Sequence, residues 1–450
     1  MAYPRWESGA RPCDELGNPL SLEGFPKPRW THLVRPFPLC ARVLTVALPC
    51  VGADGGCAGL QQQGWVPGTH YQPKYVMDTR GYLRTVAWNL HGSMAAGFRL
   101  GAIDGDILTE DIAQWDPVDG VLSGPPCPPW SLIGAKRGEN DVRELVFRRV
   151  TDIIIDQGWK GCHFCIIEMV LGIDVQLSGA QRSYYTTWLE RIRNAAPMWQ
   201  VTPWVMNTIH YLPQHRGRIY TVFTNKMSMV HPVPPPLPNP RDRCELVELL
   251  HPGLGRLQEH RLSPHLRDNL RKTLLQLGRR SPNQAHALAA RSTRHGPVLV
   301  LELDRDPEAT WGSVTRVDGA VPTLRTANEM VWVLNWDHVG NLLLSRCVHP
   351  IERWVLQGFL PETAQGLSKK QVIEAAGNAF SAPCVTAVIG QCVQSLFTPA
   401  RQFGLCDAPA ASEADEERRQ RQQACIAATR DRIALLERLA VLYQRQRGRR

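Results

Sequence analysis

Short apolar runs separated by polar, helix-spaced stretches dominate the first half of this 450-residue chain. The runs are Leu44 to Leu48, Lys74 to Met77, Gly101 to Ile103, Val118 to Leu122, Phe164 to Ile167 and Ile219 to Phe223. Runs of this length alternating with helical segments predict βαβ units and a mainly parallel sheet covered on both faces. The fold class is therefore α/β. The proline-dense stretch 231–240 can continue neither helix nor central strand, which predicts an extended connector and a domain boundary. Beyond it, Arg241 to Leu344 is less regular, with basic loops such as Gly278-Arg279-Arg280-Ser281 and a strand-like Val298 to Leu303, as expected of an inserted recognition module.

A helix-like run through Val385, Val388 and Ile389 follows within Gln371 to Phe397. Helical spacing of Ile426, Ile433, Leu436, Leu439, Ala440 and Tyr443 predicts an amphipathic helix docked on its own domain. The resulting division is an extension over 1–41, a catalytic part over 42–230, linker and recognition domain over 231–345, a return to the catalytic domain over 346–400, and a basic helical tail over 401–450.

Composition narrows this picture. The hydrophobic share is 43%, and no apolar run approaches the roughly 20 residues of a membrane span, so a large core and no membrane partner are expected. Met1 to Pro12 holds charge and proline but no apolar secretory core, which predicts an intracellular protein of nucleus or nucleoid. Thirteen irregularly spaced cysteines read as thiols rather than a disulfide framework. Cys162-His163-Phe164-Cys165 has metal-site spacing but no second pair, so no metal is expected. A formal net charge of +9 permits a polyanionic partner, and arginines gather toward the carboxyl end.

The chemistry concentrates in Gly124-Pro125-Pro126-Cys127-Pro128-Pro129-Trp130-Ser131, which follows the run ending at Leu122. Proline fixes its own φ and restricts the residue before it, so this turn has few conformations to lose in presenting a thiol. A loop beyond a strand's carboxyl end is where open α/β sheets place their chemistry. Glu168 ends an apolar strand, and Arg216 and Arg218 sit two apart, sharing one face if the segment is extended.

In order, Pro126-Cys127, Ile167-Glu168-Met169-Val170, Gln214-His215-Arg216-Gly217-Arg218, Glu352 to Phe359 and Gly377-Asn378-Ala379-Phe380-Ser381-Ala382-Pro383 resemble the motifs of the cytosine-C5 DNA methyltransferase family. The resemblance spans about Arg42 to Leu396. It implies a Rossmann-like S-adenosylmethionine-dependent methyltransferase sheet with helices on both faces, plus a smaller target-recognition domain. It also implies methylation of carbon 5 of a flipped cytosine in double-stranded DNA by a monomer, with Cys127 as nucleophile, Glu168 as acid and Arg216 and Arg218 lining the site.

The resemblance assigns cofactor contacts to Gly52, Asp54, Gly55, Asp78, Asp106, Pro125, Leu145 and Asn378. Substrate contacts fall to Ser131, Gln214, Thr323 and Arg325. The first glycine block departs from the family: Leu48-Pro49-Cys50-Val51-Gly52-Ala53-Asp54-Gly55 lacks the usual acidic and aromatic residues and has Asp54 where glycine is expected. Met169 replaces the usual asparagine after the glutamate. RNA, in particular transfer RNA, is the alternative acceptor, and a donor-free nucleic-acid-binding protein of the same fold is the alternative class.

Overall fold

The computed structural model describes residues 18–30, 43–50, 52–92, 99–100, 105–126, 129–130, 141, 143–176, 181–228, 233, 236, 244–279, 281–282, 294–308, 315–326 and 330–396. Seven strands build the main sheet: β1 (Leu44–Pro49), β2 (Tyr71–Asp78), β3 (Arg99–Leu100), β4 (Gly120–Ser123), β5 (Phe164–Val170), β6 (Trp199–Asn207) and β7 (Gly217–Asn225). Their spatial order is β3-β2-β1-β4-β5-β7-β6. Pairing is parallel from β3 through β5, while β7 inserts antiparallel between β5 and β6. Strands covered on both faces must be apolar throughout, and β5 is buried along all but its last residue.

Helices α1 (Gly55–Gln62), α2 (Leu83–His91), α3 (Glu144–Trp159) and α4 (Tyr184–Ala195) occupy the connections of this sheet. Five of the six expected runs fall on strands, and the sixth, Gly101 to Ile103, lies outside the described residues, just after β3. β6 is an addition to the sequence reading. Its Pro203 cannot donate to a ladder, so the segment did not read as a strand, yet β6 lies at the sheet edge, where a missing N–H is tolerated.

After α5 (Pro264–Gln276), a second, antiparallel sheet runs in the order β11-β10-β8-β9, formed by β8 (Val298–Glu302), β9 (Thr315–Arg316), β10 (Val331–Trp336) and β11 (Leu342–Cys347). Only β8 was legible as a strand. The chain then returns to the main sheet through α6 (Pro350–Val355), α7 (Lys369–Asn378) and α8 (Ala382–Leu396). A capping box between Ser368 and Gln371 starts α7. α8 packs closely against α1: a Cβ added at Gly59 would lie 3.0 Å from the Ala382 carbonyl oxygen, so glycine is required for that approach. Most of the 231–240 connector and all of the 413–446 helix expected above lie outside the described residues. Among the described residues no single helix is long and apolar enough to cross a membrane.

The return is pinned by a buried ion pair. Arg346 at the end of β11 reaches Glu352 of α6 at 2.6 and 2.9 Å, and Glu352 also accepts the His251 and His349 backbone N–H groups at 2.6 and 2.7 Å. Burial opposes ionisation of this carboxyl, but the guanidinium and the N–H donors outweigh it and hold it below the ordinary 4.5. A depressed folded value stabilises the protein above the unfolded value and loses that contribution as pH falls through the folded one. Glu352→Gln should therefore cost about 3–5 kcal/mol at neutral pH by stranding Arg346. Urea midpoints of wild type and variant should converge on acidification below the ordinary carboxyl value, whereas a gap of constant size would contradict the ion-pair account.

Candidate active site

Glu168 projects from a strand whose other side chains are apolar, so its burial at 4% exposure demands partners. The antiparallel register supplies them. β7 pairs Glu168 with Tyr220 and Val170 with Arg218, which brings the start of β7 beside the carboxyl. Arg218 Nε lies 2.9 Å and Arg216 Nη2 3.7 Å from Glu168 Oε1. Neither contact is an aligned hydrogen bond to Oε1, so the attraction is between charges and leaves that oxygen unspent as an acceptor.

Arg216 is held from the other side. Its Nη1 donates to the Gly377 carbonyl at 3.3 Å and its Nη2 to the Ala379 carbonyl at 2.8 Å. The turn from α7 to α8 thereby fixes the guanidinium. Arg218 Nη1 donates to the Gly217 carbonyl at 2.7 Å. Tyr220, opposite Glu168, is buried, and burial pushes its phenol well above the ordinary value.

The parallel register completes the arrangement. Ser123, the last residue of β4, pairs with Ile167, so the chain leaves the sheet toward Pro125-Pro126 directly beside Glu168. Cys127 and Ser131 lie outside the described residues, but both flanks of the cysteine are anchored. Pro125 is buried on one side. On the other, the Trp130 ring packs 4.8 Å from Phe147 and 5.0 Å from Tyr184, a cluster that no sequence motif announced.

The cofactor candidates line the carboxyl ends of β1, β2 and β4. Gly52 has φ +56°, a conformation glycine adopts freely, and a Cβ there would meet the Asn378 carbonyl oxygen at 3.3 Å. Its N–H donates to Asp78 Oδ2 at 3.2 Å. Burial raises the Asp78 carboxyl, partly offset by Arg80 and by the N–H groups of Arg80 and Gly52. Gly55 and Gly124 both lie under Phe380, whose carbonyl oxygen and ring would be 2.8 and 2.4 Å from added Cβ atoms. Asp106 accepts the Leu108 N–H at 3.0 Å. Leu145 stands on the first turn of α3 with 52% exposure. Asp54 is turned inward, with Oδ1 accepting the Cys57 N–H at 3.1 Å and Oδ2 2.9 Å from His91 Nε2, so only its backbone faces the turn.

The substrate candidates are spent differently. Gln214 is fully buried and neither its amide nitrogen nor its oxygen has a hydrogen-bond partner among the described residues. Thr323 donates to the His215 carbonyl at 2.6 Å. Arg325 Nη2 lies 3.5 Å from Glu302, and its own carbonyl accepts Arg353 Nη2 at 2.8 Å. The Thr323 side chain joins the second unit to the arginine loop, whereas that of Arg325 turns to Glu302 of β8. Asp318 adds to that joint, pairing with Arg316 and His215, both at 2.7 Å. Partial burial opposes its ionisation, but the two partners hold its carboxyl far below the ordinary range.

The root of the Cys127 loop, a carboxyl between two guanidiniums and a glycine turn thus meet at one end of one sheet. The model of the C-5 cytosine-specific DNA methylase family matches residues 95–394, more than half of the chain. The chain belongs to that family. The type II methyltransferase M.DdeI of Desulfomicrobium norvegicum is 30% identical over 127 residues, covering 26% of this chain and 29% of its own length. This methylase therefore spans under a third of that curated relative in the match.

Among solved structures, the S. pombe Dnmt2 methyltransferase superposes with a TM-score of 0.50 at 12% identity, over 79% of this chain and 100% of its own, which shows a shared fold. The Entamoeba histolytica methyltransferase EhMeth gives 0.48 at 12% identity, over 79% of this chain and 100% of its own. For this methylase, Arg216→Ala removes both carbonyl contacts and a guanidinium near a buried carboxylate. The expected loss of unfolding free energy is about 3–5 kcal/mol, read from urea midpoints. An unchanged midpoint would mean that the arginine does not brace the α7–α8 turn.

Proposed function

We propose that this chain transfers a methyl group from S-adenosylmethionine to carbon 5 of cytosine in double-stranded DNA. The observation that carries the reading is the register of β4, β5 and β7, which sets the root of the Cys127 loop beside Glu168 and its two arginines. Family membership supports the reaction class. Carbon 5 of cytosine is a weak nucleophile, and carbon 6 is hidden in a duplex, so the base must leave the stack at a cost of about a few kcal/mol.

In the proposed sequence the Cys127 thiolate forms a bond to carbon 6, and the ring electrons move toward N3 and carbon 5. Glu168 donates a proton to N3 as the general acid. Arg218 and Arg216 are placed to offset negative charge at the neighbouring oxygen through charge-assisted hydrogen bonds. Carbon 5 takes the methyl group and loses its proton to a base such as water, the carbon–sulfur bond breaks to return the thiolate, and the N3 proton goes back to Glu168.

The donor turn fits the cofactor on one structural ground: Gly52 holds a positive φ, and a Cβ added there would lie 3.3 Å from the Asn378 carbonyl oxygen, a cradle that a side chain would fill. When bound, S-adenosylmethionine supplies a sulfonium-activated methyl group. Asp78 would accept from ribose hydroxyls, Asp106 from the adenine amino group, and Gly52, Gly55, Pro125 and Asn378 would shape the walls, with Leu145 covering the adenine. Gln214 would meet the extruded nucleotide or the strand it leaves. Thr323 and Arg325 would act by fixing the recognition unit against the site.

The test is transfer of labelled methyl to cytosine-containing duplexes, with transfer RNA as a parallel acceptor. Wild type should label the duplex, Cys127→Ala should not, and Glu168→Gln should lower kcat by roughly 10²–10⁴. Labelling of transfer RNA alone would move the acceptor from DNA to RNA. Undiminished transfer by Cys127→Ala would exclude the mechanism.

A further inference from the structure

Among the described residues the turn after β1 contains three of positive φ, Cys50 at 55°, Gly52 at 56° and Asp54 at 56°, and Asp54 is the one that starts α1. Glycine adopts that region without strain, but aspartate does so only against a steric cost. Something must hold Asp54 there. Its carboxylate caps α1 through the Cys57 N–H at 3.1 Å and meets His91 Nε2 at 2.9 Å, and both side chains are at most 5% exposed.

His91 is itself the last residue of α2 and is fixed from two sides. The Tyr71 ring lies edge-on at 6.2 Å. Gln61 of α1 donates to the Tyr71 hydroxyl at 2.9 Å and to the Leu90 carbonyl at 2.5 Å, tying the end of α2 to α1.

We propose that His91 is a positioning residue for donor binding: through its hydrogen bond to the Asp54 carboxylate it fixes the left-handed turn that a glycine would otherwise provide. The inference rests on the donor reading above. It explains how a turn with aspartate at that position keeps the shape that brings Gly52 under the Asn378 carbonyl. Asp54, Cys57 and His91 also place three ligand atoms within 4.8 Å of one another. The carboxylate, however, already serves Cys57 N–H and His91, and its geometry as a brace needs no ion.

The experiment compares wild type, His91→Leu, His91→Gln, Asp54→Gly and the double variant Asp54→Gly/His91→Leu. S-adenosylmethionine affinity is measured by calorimetry, and kcat and donor KM by methyl transfer. His91→Leu should weaken donor binding and raise KM by about tenfold or more, equivalent to ~1.4 kcal/mol, with kcat at saturating donor little changed. His91→Gln, which keeps a donor, should recover most of the affinity. Asp54→Gly removes the residue that needs the brace, so adding His91→Leu to it should cost nothing further.

Equal affinity in wild type and His91→Leu would overturn the proposal, as would a double variant as weak as His91→Leu alone. Stoichiometric zinc in the purified protein, lost on Cys57→Ser, would also overturn it in favour of a metal centre. Amide hydrogen exchange at Gly55, Gly56 and Cys57, recorded without donor, decides the brace independently. Faster exchange in His91→Leu but not in the double variant supports it, and unchanged exchange refutes it. Wild type that bound no S-adenosylmethionine while showing that exchange pattern would sink the donor reading and leave the brace standing.

Discussion

A polar group buried in an apolar strand demands partners, and Glu168 meets them in Arg218 of the neighbouring antiparallel strand and Arg216 just before it. The constraint propagates. Arg216 and Arg218 reach Glu168 because β7 is inserted between β5 and β6, and β7 can occupy that slot because β6 closes the edge. The antiparallel insertion is therefore what turns a generic parallel sheet into a charged site at its carboxyl end.

One short turn couples the parts of that site. Residues Gly377 to Phe380 offer carbonyls to Arg216, lie over Gly52 and Gly55 of the turn after β1, and cover Gly124 at the root of the Cys127 loop. The same segment meets the second unit, since a Cβ at Gly377 would fall 2.4 Å from the Arg325 backbone. Movement of the second unit would thus be felt at the arginine loop and at the turn after β1 together. The buried Arg346–Glu352 pair anchors the returning chain far from this turn in sequence but in the same helical layer.

Much of this was legible before any coordinates. Five of the six apolar runs coincide with strands, because a strand buried on both faces must be continuously hydrophobic. Glu168, Arg216 and Arg218 were identifiable from their order after the Pro126-Cys127 loop and their resemblance to the family's motifs, not from charge alone. β6 was not legible, since proline at an edge position looks like a break. β10 escaped notice because aromatic and polar residues interrupt its apolar pattern, although all six of its residues are buried. The Asp54–His91 contact joins positions 37 apart across two elements and leaves no local signal. Nor could sequence show that Thr323 and Arg325 are engaged inside the protein, because a polar residue in a loop reads alike whether it meets a ligand or a neighbouring carbonyl.

The central claim is that a cysteine on the loop rooted beside Glu168 attacks carbon 6 of an extruded cytosine. Fluorine at carbon 5 cannot leave as a proton does, so a duplex carrying 5-fluorocytosine should halt the reaction after bond formation and methyl transfer. Incubation with S-adenosylmethionine, followed by denaturing electrophoresis and peptide mass spectrometry, is the direct measurement. The account predicts a denaturation-resistant protein–DNA adduct whose modified peptide contains Cys127. An absent adduct in protein that methylates the unfluorinated duplex, or an adduct mapped to any other residue, would contradict it.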